Sequence, residues 1–283
     1  MLIRLGYDIQ FYNPAEVAMI ALLYVHPSRV ADLLEPDELH IEPDIPVTNY
    51  IDSFGNRCAR FVAPAGHLRL STSTLFNDTG LPDAVNLSAR EAPVGDLPDE
   101  ILCFLLGSRY CEVDRFSNIA YELFGHLDPG WSRVQSICDW VHSHVTFNYQ
   151  HARPTKTALD VYTERVGVCR DFQHLAITFC RALNIPARYA TGYLGDIGVP
   201  VVLPMDFSAW FEVWLDGRWW SFDARNNMPR IGRVLMATGR DASDVAMTTS
   251  FGRADLQSFF VVAEEEAGSP AAASTPEAIP APA

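Results

Sequence analysis

The sequence predicts an α+β protein: a β-rich, sandwich-like N-terminal unit, then a core in which a helix beginning at a cysteine packs on an antiparallel sheet. Three observations carry this. Up to about Thr74 the apolar residues come in short runs broken by turn residues, the pattern of antiparallel strands. From Ile101 onward they recur every three to four residues, the period of a helix. Later, Asp216-Gly217 separates two aromatic-rich runs, as the turn of a two-residue hairpin does.

In chain order, the N-terminal runs are Ile9 to Tyr12, Val17 to Val25, Leu39 to Ile41, Cys58 to Val62 and His67 to Thr74. Tyr50 to Arg57 reads as a hairpin, with Gly55-Asn56 suited to positive φ. Asn77 to Pro98 is rich in Pro, Asp and Gly, with little periodic apolar surface, and reads as a linker. Three helices are then expected: one over Ile101, Leu105 and Leu106, one over Ile119, Leu123 and Phe124, and one over Val134, Ile137, Cys138 and Val141. A helix over Val168 to Leu183, a strand over Ala187 to Tyr193 and the hairpin around Asp216-Gly217 complete the core. The tail is almost all Ala, Pro, Ser and Gly and lacks the apolar surface to order itself. The expected division is a β-rich domain over 1–80, a linker over 81–98, the core over 99–262 and a disordered tail over 263–283.

At 283 residues, 48% hydrophobic and 20% charged, the chain has enough apolar surface for a large core. A net charge of −14 and the lack of a basic stripe argue against nucleic acid as a partner. The longest apolar candidate, Val17 to Val25, is too short to span a membrane, and the N-terminus does not read as a signal peptide, so a cytoplasmic location without membrane association is expected. The six cysteines show neither a disulfide framework nor metal-ligand spacing. No metal, no calcium requirement and no cofactor are expected. The partner to look for is a peptide or protein, and the oligomeric state is unspecified.

One cysteine has a distinctive context. In Gly167-Val168-Cys169-Arg170-Asp171-Phe172, Cys169 precedes a run in which Phe172, Leu175, Ala176, Phe179 and Leu183 share a helical face. Free N–H groups and the positive end of a helix dipole lower a thiol pKa and suit an oxyanion, so a thiolate is expected there. A small buried hydrophobe is the alternative.

Downstream, pairing Leu215 with Arg218 across Asp216-Gly217 sets Trp210 opposite Asp223. Ala209, Phe211, Val213, Trp220 and Phe222 then form a core face. Ser208, Trp210, Glu212 and Trp214 share the other face with Asp223, and Ser208 is its diagonal neighbour at roughly 7–8 Å between backbones. Trp210, Trp214 and Trp219 either line a groove or cover the hairpin.

These segments resemble the nucleophile helix and the His/Asp hairpin of bacterial transglutaminase-like proteins, within the papain-type cysteine hydrolase class. The resemblance runs from about Arg133 to Asn227, through Gly-Val-Cys-Arg-Asp-Phe, Ala209 to Val213 and Phe222 to Asn227. The β-rich N-terminal half is similar to the extra domain that often precedes this core. The resemblance implies a papain-like or transglutaminase-like fold and an acyl-transfer triad in which Cys attacks a carbonyl, His takes its proton and Asp orients the His. Cys169 matches the nucleophile and Asp223 the acid, while Ser208 stands at the histidine position.

No other histidine is an obvious substitute. His174 lies about 140° around the helix from Cys169 and points away from it. His151, in the loop Tyr149 to Pro154, is the least implausible stand-in. Asp206, two residues before Ser208, is suited to pairing with a cation or orienting water.

Two functions therefore compete. One is cysteine-dependent acyl transfer on peptide-like amides through Cys169, as an amidase, peptidase or transglutaminase. The other is a non-catalytic binding module on the same scaffold, favoured by Ser208. A branch of the family with its own chemistry at position 208 is a third reading.

Overall fold

The computed structural model describes residues 1–202 and 205–266. The N-terminal half is a sandwich. Alternation sets Ile3, Leu5, Tyr7, Ile9 and Phe11 inward along β1 (Leu2–Asn13), an element that starts well before the Ile9 expected from sequence. β2 (Val17–Ala21), β3 (His40–Glu42), β4 (Thr48–Ile51), β5 (Arg57–Ala63) and β6 (Gly66–Asn77) follow, with Gly55 at φ 85° in the β4–β5 turn. Asn56 does not adopt positive φ; it is buried, and its amide donates to the Thr238 carbonyl and accepts from the Thr238 N–H, tying the turn to the core.

After the linker, Asp99–Leu105 forms a 3-10 helix where the period suggested an α-helix; its buried residues Ile101 and Phe104 are three apart, the repeat of that tighter helix. The core comprises α1 (Ser117–Phe124), α2 (Trp131–His144), the short parallel pair β7 (Thr146–Phe147) and β8 (Val166–Gly167), α3 (Ala158–Glu164) and α4 (Cys169–Ala182). It continues with β9 (Ala187–Leu194), β10 (Ser208–Leu215), β11 (Arg218–Phe222) and β12 (Arg233–Gly239), in the order β11-β10-β9-β12. Leu215 pairs with Arg218 as the turn chemistry predicts, and Asp216 and Gly217 both take positive φ.

The chain then returns to its start. β13 (Thr248–Ser250) pairs with β2, and β14 (Asp255–Glu265) pairs with β1 along its length. The sandwich is thus β14-β1-β6-β3 on β13-β2-β5-β4. Two expected boundaries change accordingly: the last strands, assigned by sequence to the core, complete the N-terminal sheets, and residues 263–265, assigned to the tail, belong to β14. Residues 267–283 lie outside the described residues.

The core sheet is covered on both faces. Ala187, Tyr189, Ala209, Phe211, Val213 and Phe222 pack with the buried face of α4, including Phe172, Ala176 and Phe179. Tyr193, Phe207, Val234 and Met236 instead pack into the sandwich core with Leu5, Met19 and Phe61. Burying both sides of β9 and β12 gives them near-continuous apolar sequences, which is why Arg233–Gly239 shows no alternation.

The linker is fastened rather than free. Asp83 accepts from the Arg230 N–H and the Arg233 guanidinium, and the Ala89 carbonyl and Glu91 carboxylate accept the Trp131 and Gly130 N–H groups at the start of α2. Lys156, the chain's one lysine, is fully buried: its ammonium donates to the Val166 carbonyl at 2.8 Å and pairs with Glu164 at 3.0 Å. Among the described residues no helix is long and apolar enough to cross a membrane.

Candidate active site

α4 begins at Cys169 for local reasons. Asp171 reaches back to accept the Val168 N–H at 3.0 Å, satisfying one of the first-turn donors, while Arg170 braces that carboxylate and donates to the Arg153 carbonyl. Gly167 is needed for this fit, since a Cβ there would lie 2.7 Å from that of Asp171. One turn along the same face, Gln173 donates to the Ala209 carbonyl and to Asp223, each at 3.1 Å, and accepts the Ala224 N–H at 3.2 Å. A single amide side chain thereby locks α4 to β10 and to the segment after β11. Nothing in the sequence pattern marked Gln173 except its spacing of four from Cys169.

Cys169 is partly exposed and lies between two cavities. One, of about 220 Å³, is lined by Phe147, Tyr149, Arg225 and Arg230 among others. The other, of about 400 Å³, is lined by Tyr110, Tyr189, Thr191 and the segment from Ala242 to Thr248. Cys169, Asp206, Phe207 and Ser208 border both. The structure therefore brings together three of the residues named from sequence, Cys169, Asp206 and Ser208, and adds Tyr149 and Arg225.

The thiol is not the activated group expected from the helix start. Burial pushes its pKa up to about 11, with the Asp206 carboxylate adding to the rise. The Arg225 guanidinium and the backbone N–H groups of Arg170 and Ala209 pull the other way without overcoming burial. Asp206 precedes β10 rather than lying in it; burial raises its carboxyl above the usual range, against the Phe207 N–H and the Arg225 charge.

Asp223 has a different setting. The β10–β11 ladder stops at the Phe211–Phe222 pair, so the expected Trp210–Asp223 pair does not form. The cause is Asp223 itself, whose carboxylate captures the N–H groups of Arg225 and Asn226, each at 3.0 Å, and turns the chain out of the strand. It also accepts from the Asn226 amide at 2.7 Å and from Arg233 at 3.4 Å. Burial opposes the charge, but Arg233, Asn226 and Gln173 together hold this carboxyl below its ordinary value. Asp223 lines a third cavity of about 260 Å³, with Trp131 and Met228, and is not among the residues bordering the two cavities at Cys169.

The remaining sequence candidates are not at the thiol. Trp210 is only 1% exposed, clustered with Ala190 and Leu235 beneath the Arg233 guanidinium, so it lines no groove. Trp219 borders a separate cavity at the far end of the hairpin. His151 ends an exposed 3-10 turn and borders neither cavity. His174 is buried, stacked on Tyr110 and accepting the Ala242 N–H, and burial pushes its pKa down to about 3.

Residues 117–224 match the transglutaminase-like superfamily. A candidate cysteine protease from Cytophaga hutchinsonii is 32% identical, with alignment over 93% of this chain and 90% of that one, and superposes with a TM-score of 0.80. This chain belongs to the transglutaminase-like superfamily. An uncharacterized protein of Mycobacterium leprae is 27% identical over 71% of this chain and 76% of its own length. One of Mycobacterium tuberculosis is 35% identical over a shorter stretch, 30% of this chain and 31% of that one. Within this fold Cys169 begins α4, Ser208 begins β10 and Asp223 directly follows β11.

Proposed function

We propose that the protein is a cysteine-dependent acyl-transfer enzyme acting on peptide-like amides, with Cys169 as nucleophile and Asp206 as proton acceptor. The observation that carries this reading is the position of Cys169: at the first turn of α4, between two cavities, with the N–H groups of Arg170 and Ala209 directed at its sulfur. The thiol proton passes to the Asp206 carboxylate as sulfur bonds to the amide carbon. The C–N bond then breaks, the amine leaves with the proton returned by Asp206, and water or a second amine cleaves the thioester. The same two N–H groups suit the oxyanion of the tetrahedral intermediate.

With Ser208 at the histidine position and the thiol protonated at neutral pH, turnover is expected to be slow, by about 10²–10⁴-fold relative to a site with a positioned imidazole. Incubation with p-nitrophenyl acetate followed by peptide mapping is the test. One acetyl group on Cys169, absent in Cys169→Ala and diminished in Asp206→Asn, supports the reading; acetylation spread over other cysteines, or none, rejects it.

A second reading, a peptide-binding module, is favoured by Ser208 together with an Asp223 carboxylate fully committed to Arg233, Asn226 and Gln173. It requires that peptide binding survive Cys169→Ala while the natural protein forms no acyl-enzyme.

A further inference from the structure

We propose that the cavity on the Phe147 side of Cys169 is a carboxylate subsite, so that the substrate is a peptide-like amide bearing a free carboxylate next to the reacting bond. This rests on the reading of Cys169 as the nucleophile and specifies the substrate class for it.

Three features converge. Arg225 lines this cavity, its guanidinium lies 4.1 Å over the Phe147 ring, and among the described residues it has no carboxylate within ion-pair distance. A guanidinium held flat by an aromatic ring presents its N–H fork at low entropic cost, which suits bidentate carboxylate recognition. Arg230 lines the same cavity, is only 7% exposed, and has a buried Nε with no hydrogen-bond partner among the described residues. A buried donor without an acceptor is costly, and a ligand oxygen is one way to satisfy it. The first turn of α4, at Cys169, adds the positive end of its dipole.

The acidic residues present do not cancel this. Asp196 is occupied by Arg230 at 3.2 Å and by the Val202 N–H at 2.7 Å. Asp206, the proton acceptor of the reaction, is charged when the substrate arrives and loses that charge on taking the thiol proton, so the substrate carboxylate is held most firmly during acylation. The cavity of about 400 Å³ on the other side of Cys169 contrasts with this one: its cation, Arg170, is already paired with Asp171, and Tyr110, Tyr189, Ala246 and Met247 make much of its wall. A substrate lying across the thiol would place its anionic end toward Arg225 and its neutral end toward Tyr189.

The experiment compares two alkylating reagents of nearly equal size, iodoacetate and iodoacetamide, each of which forms an S–C bond and releases iodide. The ratio of their rates cancels any change in thiol ionisation, and free N-acetylcysteine is the standard. The iodoacetate-to-iodoacetamide ratio at Cys169 should exceed that of the free thiol about tenfold, fall to the free-thiol value in Arg225→Gln and recover in part in Arg225→Lys. A Cys169 ratio equal to that of the free thiol, or one indifferent to Arg225→Gln, overturns the subsite.

If neither reagent modifies Cys169, the nucleophile reading fails, and a second measurement still decides the subsite. In Cys169→Ala, N-acetyl-alanyl-alanine should raise Tm where its C-terminal amide does not, and Arg225→Gln should remove the difference. Equal shifts from acid and amide overturn the subsite independently of the thiol.

Discussion

Cys169 and Asp223, two positions that the family resemblance places in one triad, both feel the cost of burial, yet that cost has opposite outcomes for them. At Asp223 four N–H donors and the Arg233 guanidinium converge on the carboxylate, and the charged form wins. At Cys169 two backbone N–H groups and Arg225 face a thiol with an acidic neighbour, and the neutral form wins. Depth does not decide ionisation; the count and sign of the groups aimed at the atom do.

The largest effect comes from disarming the Asp223 cage. Arg233→Met leaves a buried carboxylate short of its countercharge and should cost about 3–5 kcal/mol in urea unfolding. The pH dependence follows with a definite sign. Because the folded value of Asp223 lies below the unfolded one, its stabilisation is present above the unfolded value of about 3.9 and is lost as pH falls through the folded value. Arg233→Met should move that loss to higher pH, as read from Tm against pH. Cys169 behaves inversely: its raised pKa favours the fold below the ordinary thiol range, and the contribution is lost as pH rises through about 11.

Next in size is Ser208→His. A base installed between the two cavities should bring the midpoint of Cys169 alkylation from about 11 to below about 8. A midpoint unchanged by histidine would mean that position 208 does not face the sulfur. A smaller change is expected from Asp206→Asn, which removes the acidic neighbour and should lower the midpoint by about one unit while diminishing acetylation by p-nitrophenyl acetate. Smallest is His151→Ala, which should leave the Cys169 alkylation rate within about twofold, since His151 borders neither cavity.

Local chemistry explains which features were legible. Asp-Gly fixed the β10–β11 register because two successive positive-φ residues are what that turn requires. α4 was legible from one apolar face ending at Leu183. α3 was passed over although Thr157 and Asp160 carry a reciprocal cap that sequence spacing displays. β12 and β14 were missed for a different reason: β12 is buried on both faces and lacks alternation, and β14 gains its place by pairing with residues some 250 positions earlier, which no local window contains. At the site, Cys169 was picked out by its place at a helix start and Ser208 by the hairpin register, and the family resemblance gave both their roles. Arg225 and Arg230 were not, because what distinguishes them is that, among the described residues, a guanidinium lacks a carboxylate partner and one Nε lacks an acceptor, a property only of the folded chain.

The buried ion pair of Lys156 bears on experiments with this protein as well as on its fold. On the proposed mechanism a thioester at Cys169 holds an acyl group taken from the substrate, and the usual protein acceptor for it is a lysine side chain. With its one lysine enclosed against Val166 and Glu164, a folded copy offers no lysine to the thioester of another. If the thioester is resolved by an amine, any lysine-linked conjugate must therefore take that lysine from another protein, so acceptors can be identified by mass without self-linkage through Lys156.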